Sequence, residues 1–166
     1  MSRPRRAAHE KIASLDDLFR VLGPLRATGS TVVFTNGCYD LLHAGHLHLL
    51  ESAAALGEIL VVGLNGDDSI RRLKGAGRPL VDFEERALLL GGFEVVDWVV
   101  RFDEDTPQEL IRAVQPDVLV KGGDWSPDTI VGRETVEARG GRVIAVPLRP
   151  GRSTTLLVEK IRSCPG

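Results

Sequence analysis

Cysteine is scarce in this chain of 166 residues: Cys38 and Cys164 are its only two. They stand far apart and form no Cys-x-x-Cys pattern, which argues against a disulfide framework or a cysteine zinc site. Both are read as reduced thiols, as in a cytoplasmic protein. Neither sign of charge dominates, since 21 basic residues face 23 acidic ones for a net of −2. Nothing in that balance marks a nucleic-acid binder. Long apolar runs are missing too; stretches such as residues 59–62 are far too short to span a membrane. The opening Ser2-Arg3-Pro4-Arg5-Arg6 is basic and polar with no apolar segment behind it, so no signal peptide is expected. There is no internal repeat and no low-complexity tract. The length suits one well-buried core rather than two ordinary domains.

What is present is an alternation of short apolar runs and helix-like segments. Residues 1–13 read as a flexible arm and 14–166 as a single domain. Ser14 is a plausible helix N-cap, with Asp16 and Asp17 in the first turn. Leu15, Leu18, Phe19 and Leu22 follow as one apolar face, which Gly23-Pro24 is expected to interrupt. Strands are expected at 31–35, 59–64, 95–100, 118–120 and 142–146. Helices are expected at 45–56, 67–73, 83–90, 107–114, 133–139 and 154–161. Runs such as Ile59-Leu60-Val61-Val62 are apolar throughout, as when helices cover both faces of a sheet. The rhythm predicts an α/β fold: a Rossmann-like, doubly wound sheet of about five parallel strands. Ligands of such sheets bind beyond the strand carboxyl ends, at the topological switch point.

Two strand ends are rich in small and polar residues: Thr35-Asn36-Gly37 and Lys121-Gly122-Gly123-Asp124. The first continues through Cys38-Tyr39-Asp40-Leu41-Leu42-His43-Ala44-Gly45-His46 into a helix-like run. Two histidines three residues apart, on a strand-to-helix turn, share one face of the first helical turn. Free backbone N–H groups and the positive end of the helix dipole point to the same place. That is an anion site with two imidazoles added, suited to a triphosphate undergoing chemistry. A metal cluster of Asp40, His43, His46 and His48 is the weaker reading. Helical zinc histidines are usually spaced by four, and no paired cysteines lie nearby, so no protein metal site is expected.

Three further segments carry charge or hydroxyls. Arg72-Leu73-Lys74-Gly75-Ala76-Gly77-Arg78-Pro79 is a basic glycine-rich loop from which Lys74 can fold over phosphates. Arg86 can reach a phosphate or make a structural ion pair, and the sequence leaves both open. Arg149-Pro150-Gly151-Arg152-Ser153-Thr154-Thr155 opens the last helix, where hydroxyls can cap it and bind phosphate oxygens.

The His-x-Gly-His element resembles the nucleotidyltransferase superfamily signature. Together with Leu-Lys-Gly-x-Gly-Arg-Pro (73–79) and Val-Lys-Gly-Gly-Asp (120–124), it resembles more closely the adenylyltransferase half of the bacterial bifunctional heptose kinase/adenylyltransferases. The resemblance runs from about residue 30 to 161. It implies transfer of AMP from ATP, accompanied by Mg²⁺, to a heptose 1-phosphate, giving ADP-heptose and pyrophosphate. It implies catalysis by His43, His46 and Lys74. Phe34, Thr35, Asn36, Gly37, Lys121, Gly122, Gly123 and Asp124 would surround the nucleotide, with Arg152, Ser153, Thr154 and Thr155 at its phosphates. Asp40, Lys74, Arg78 and Trp125 would meet the sugar phosphate, and Asp40 and Asp124 are candidates for sugar or ribose hydroxyls. It also implies a separate sugar kinase and phosphatase in the same pathway, and a possible homodimer. The related cytidylyltransferases carry one more residue in the segment before the last helix, so either Arg149 or Arg152 can serve the phosphates. Two rivals remain: a CTP-dependent enzyme acting on glycerol 3-phosphate or a similar polyol or amino-alcohol phosphate, and a non-catalytic nucleotide-binding module.

Overall fold

A computed structural model of the chain describes residues 6–123, 125–147, 150–151 and 153–164. Six parallel strands form one sheet: β1 (Ile12–Ala13), β2 (Val32–Gly37), β3 (Ile59–Asn65), β4 (Trp98–Phe102), β5 (Val118–Gly122) and β6 (Arg142–Val146). Their order is β1-β4-β3-β2-β5-β6. After β1 at one edge the chain enters the centre with β2, steps outward through β3 to β4 beside β1, then returns to the other side of β2 for β5 and β6. The switch point therefore lies between β2 and β5. β2 pairs with β3 from Val32↔Ile59 to Gly37↔Leu64. It pairs with β5 only at Val33↔Val118 and Phe34↔Leu119. Beyond Phe34 the two strands part, and a crevice opens at their carboxyl ends.

Among the described residues seven α-helices flank the sheet: α1 (Leu15–Ala27), α2 (Ala44–Ala54), α3 (Asp67–Lys74), α4 (Phe83–Gly92), α5 (Gln108–Val114), α6 (Arg133–Glu137) and α7 (Thr154–Ser163). Alternation along the strands divides the core in two. Val33, Leu60, Val62, Val118 and Val120 pack with Leu49, Leu50 and Ala53 of α2 and Ala87 and Leu90 of α4. Phe34, Val61 and Leu119 pack with Leu18 and Leu22 of α1, Ile111 and Val114 of α5, and Val136 of α6. Helices on both faces explain why β3 is buried along its whole length.

Three features differ from the sequence reading. Helix α1 runs through Gly23-Pro24 to Ala27. Pro24 lies on the exposed side, where water can replace the lost backbone bond, while Leu18 and Leu22 hold the buried side. Phe19 is 40% exposed and stands outside that buried face. The third is a sixth strand from the expected arm. Ala8–Lys11 forms a 3-10 turn, and β1 pairs with β4 through Ile12↔Val99 and Ala13↔Val100. Lys11 buries its stem and donates to the Phe93 carbonyl at 2.9 Å. Gly91 permits this docking, since a Cβ there would lie 2.5 Å from the Ala8 carbonyl oxygen. A two-residue strand has no periodicity to read, and its seat is some eighty residues away in sequence.

Candidate active site

The histidine turn is a capping box built from imidazoles. His43 is the N-cap of α2 and His46 occupies the third helical position. His43 Nδ1 accepts from Gly45 N at 3.1 Å, and His46 Nδ1 accepts from His43 N at 3.3 Å. The spacing of three is thus the spacing at which side chain and backbone satisfy each other at a helix start. It also fixes the tautomer. With Nδ1 accepting, each neutral ring carries its proton on Nε2 and is a donor there. The rings stack with centroids 3.8 Å apart at 21°. His46 is held neutral: burial, then the fields of His43 and Lys74, push it down to about 4.

Beneath the turn lies Tyr39, one of two non-glycine residues at positive φ among those described (+46°). That turn places its ring 5.0 Å from His46 at 53°. Burial pushes its phenol well above the usual range. The neighbouring Thr35 hydroxyl opposes that rise, but neither hydroxyl makes a hydrogen bond of normal geometry.

Asp40 and Arg86 do structural work around this turn. The buried Asp40 carboxylate accepts from Arg78 Nη1 at 2.5 Å, Leu80 N at 2.7 Å and Val81 N at 3.0 Å. Expected to meet sugar hydroxyls, it is instead occupied by the loop that follows α3, and Arg78 is occupied with it. Arg86 is fully buried. Its Nε donates to Val81 O, its Nη1 to Cys38 O and Asn65 O, and its Nη2 to Asp67 Oδ1, at 2.6–2.9 Å. Of the two roles open to Arg86, the structural one is observed. It ties the exits of β2 and β3 to the start of α3 and to the loop. No spacing in the sequence brings residues 38, 65, 67 and 81 together.

Lys74 ends α3 and is exposed, and its charge lowers the proton affinity of His46. Gly75 follows at φ +99°, a conformation that favours glycine and turns the chain out of the helix. From the far side of the sequence, Thr154 Oγ1 donates to Leu41 O at 3.4 Å and brings the start of α7 beside the turn. Ser153 caps α7 by accepting from Leu156 N at 3.1 Å. Thr155 is exposed.

On the β5 side, Lys121, Gly122 and Gly123 follow the last pair between β2 and β5, Phe34↔Leu119. Gly123, at φ +125°, donates to Val146 O at 2.9 Å and bends the chain out of the sheet. Trp125 is 47% exposed, and its indole N–H donates to Gly122 O at 3.1 Å. Phe34 and Thr35, expected to touch nucleotide, have fully buried side chains. Phe34 belongs to the core over Gly63, where a Cβ would lie 2.7 Å from its ring. Asp124, Arg149 and Arg152 lie outside the described residues. Among the described residues no group of three or more His, Cys, Asp or Glu could hold a metal ion. No described helix is long and apolar enough to cross a membrane. Two cavities, of about 920 and 670 Å³, lie elsewhere, around Trp98 and Gly91 and around Arg112 and Arg133. Neither includes a motif residue.

Residues 34–164 match the cytidylyltransferase-like family. The bifunctional protein HldE of Syntrophotalea carbinolica is 55% identical over 151 residues, which are 91% of this chain and 31% of that protein. The chain spans about a third of the length of such curated relatives. Among solved structures, the lipopolysaccharide core biosynthesis protein of Thermoplasma volcanium superposes with a TM-score of 0.59 at 29% identity, covering 72% of this chain and 97% of that one. Pantoate-β-alanine ligase of Francisella tularensis, at 12% identity, has a TM-score of 0.62 over 87% of this chain and 68% of its own, a likeness of fold alone.

Proposed function

The chain belongs to the cytidylyltransferase-like family, and from that premise we propose that it transfers AMP from ATP to a heptose 1-phosphate, releasing pyrophosphate and forming an ADP-heptose. The observation that carries the reading is the histidine capping box, with its Nε2–H donors and the charge of Lys74, set at the switch point of the sheet. The choice of ATP and heptose rests on likeness to HldE and on Leu73-Lys74-Gly75-Ala76-Gly77-Arg78-Pro79 and Val120-Lys121-Gly122-Gly123.

A phosphate oxygen of the acceptor attacks the α-phosphorus in line. The new P–O bond forms as the bond to the α–β bridging oxygen breaks, and the electron pair leaves with pyrophosphate. The attacking phosphate is already ionised near neutral pH, so no general base is needed. Catalysis is positioning and charge stabilisation. His46 remains uncharged and donates from Nε2 to oxygens whose charge grows in the transition state. Lys74 adds the positive charge. Mg²⁺ would enter with ATP, held by phosphate oxygens and water.

The test is pyrophosphate release, with ATP and CTP each offered heptose 1-phosphate and glycerol 3-phosphate. Fastest turnover is expected with ATP and heptose 1-phosphate. Faster turnover with CTP would replace this reading by the cytidylyl one.

A further inference from the structure

Lys121 is a cation without an anion. It sits at the carboxyl end of β5, half-buried, and makes no hydrogen bond or ion pair among the described residues. Among the described residues its Nζ lies over the face of Trp125, 5.8 Å from the ring centroid. Burial lowers its proton affinity, and only the Cys38 thiol, across the crevice, pulls the other way. A desolvated, unpaired ammonium is costly, and proteins seldom keep one without use for it. The ring above it is fixed, because the Trp125 indole N–H is bonded to Gly122 O.

The direction of the side chain matters as much as its charge. Val118 and Val120 pack on the α2 side of the sheet, and Leu119 packs on the α5 side. Alternation therefore starts Lys121 on the face away from α2 and its histidines. The triphosphate belongs with the histidine turn and the neighbouring start of α7. In-line displacement requires the attacking oxygen to approach the α-phosphorus opposite the departing pyrophosphate. A cation reaching the crevice from the opposite face stands on the side of the attacking group.

We infer that Lys121 and Trp125 form the acceptor subsite, with the ammonium on the phosphate of the incoming sugar phosphate and the indole against its sugar ring. This assigns Lys121 to the acceptor rather than to the nucleotide. It rests on reading the chain as a sugar-phosphate nucleotidyltransferase.

The experiment is steady-state pyrophosphate release by the full chain, wild type against Lys121→Met, Lys121→Arg and Trp125→Ala. Heptose 1-phosphate is varied at saturating MgATP, then ATP at saturating heptose 1-phosphate. Losing a charge-assisted contact should raise KM for heptose 1-phosphate about 10- to 100-fold in Lys121→Met, with KM for ATP within about twofold. Lys121→Arg should recover part of the loss, and Trp125→Ala should raise only the acceptor KM. Because an unpaired buried charge is removed, Lys121→Met should melt no lower than wild type. An ATP KM that rises as much as the acceptor KM, an unmoved acceptor KM, or a lowered melting temperature with both constants raised would overturn the assignment. If wild type prefers CTP and glycerol 3-phosphate, the proposed function fails, and the same division of KM values, measured with that pair, still decides the role of Lys121.

Discussion

On the β2 side of the switch point, Asp40 and Arg86 are saturated with protein partners, whereas on the β5 side Lys121 has, among the described residues, only the face of Trp125. The β2 side is preorganised. Its histidines are locked by backbone donors, and its loop is pinned through Arg78, Leu80 and Val81. Donors that need no rearrangement are the ones that lower a barrier. The β5 side leaves a charge unsatisfied, and a ligand can satisfy it. On the proposed function, the contrast assigns two tasks: rigid groups to the transition state, and Lys121 to a substrate.

The largest effect should come from breaking the β2 side at its anchor. Arg86→Ala leaves Asp67 and three carbonyls without their donor and should cost about 3–5 kcal/mol of stability, measured by urea unfolding. A loss under about 1 kcal/mol would mean that the β2 side is not held by this residue. Next come the histidines. His43→Ala and His46→Ala should each lower kcat about 10²- to 10³-fold while remaining folded by circular dichroism, as for the loss of one preorganised donor. His43→Ala should also cost about 1 kcal/mol, because it removes an N-cap.

Lys74→Met should lower kcat about 10- to 100-fold, with Lys74→Arg recovering part, since the two cations differ in shape. Steady-state rates at saturating substrates are the check, and an unchanged kcat would remove Lys74 from the chemistry. The smallest effect is on pH. Above about 6.5 the imidazole of His46 is neutral in both folded and unfolded chains. Between about 6.5 and 4 the unfolded chain takes a proton that the folded one refuses, so stability falls as pH falls; below about 4 the loss is complete. Melting curves of the ligand-free protein should show this slope flattened in His46→Asn.

Much of the β2 side was legible because its signals are local. Three apolar residues, a turn and two histidines at the spacing of a capping box lie within fifteen positions. β2, β3 and β5 were legible for a similar reason, since burial on both faces writes continuous apolar runs; β4, expected at 95–100, runs Trp98–Phe102 with Arg101 exposed. What escaped depends on distant partners. The seat of β1 is made by Gly91 and β4. The role of Arg86 is set by four acceptors on three separate segments, at Cys38, at Asn65 and Asp67, and at Val81. Phe34 and Thr35 adjoin the motif, but their side chains are buried in the sheet, and the first partly exposed residue at this strand end is Asn36. Pro24 misled because local propensity ignores packing, and Leu18 and Leu22 hold α1 together across it.

The central claim is that the histidines donate hydrogen bonds and never carry the adenylyl group. ATP made chiral at the α-phosphorus, converted with heptose 1-phosphate by the intact wild-type chain, tests it directly. A single in-line displacement predicts inversion at phosphorus in the ADP-sugar. Retention would show two displacements through an adenylylated enzyme group and would contradict the account.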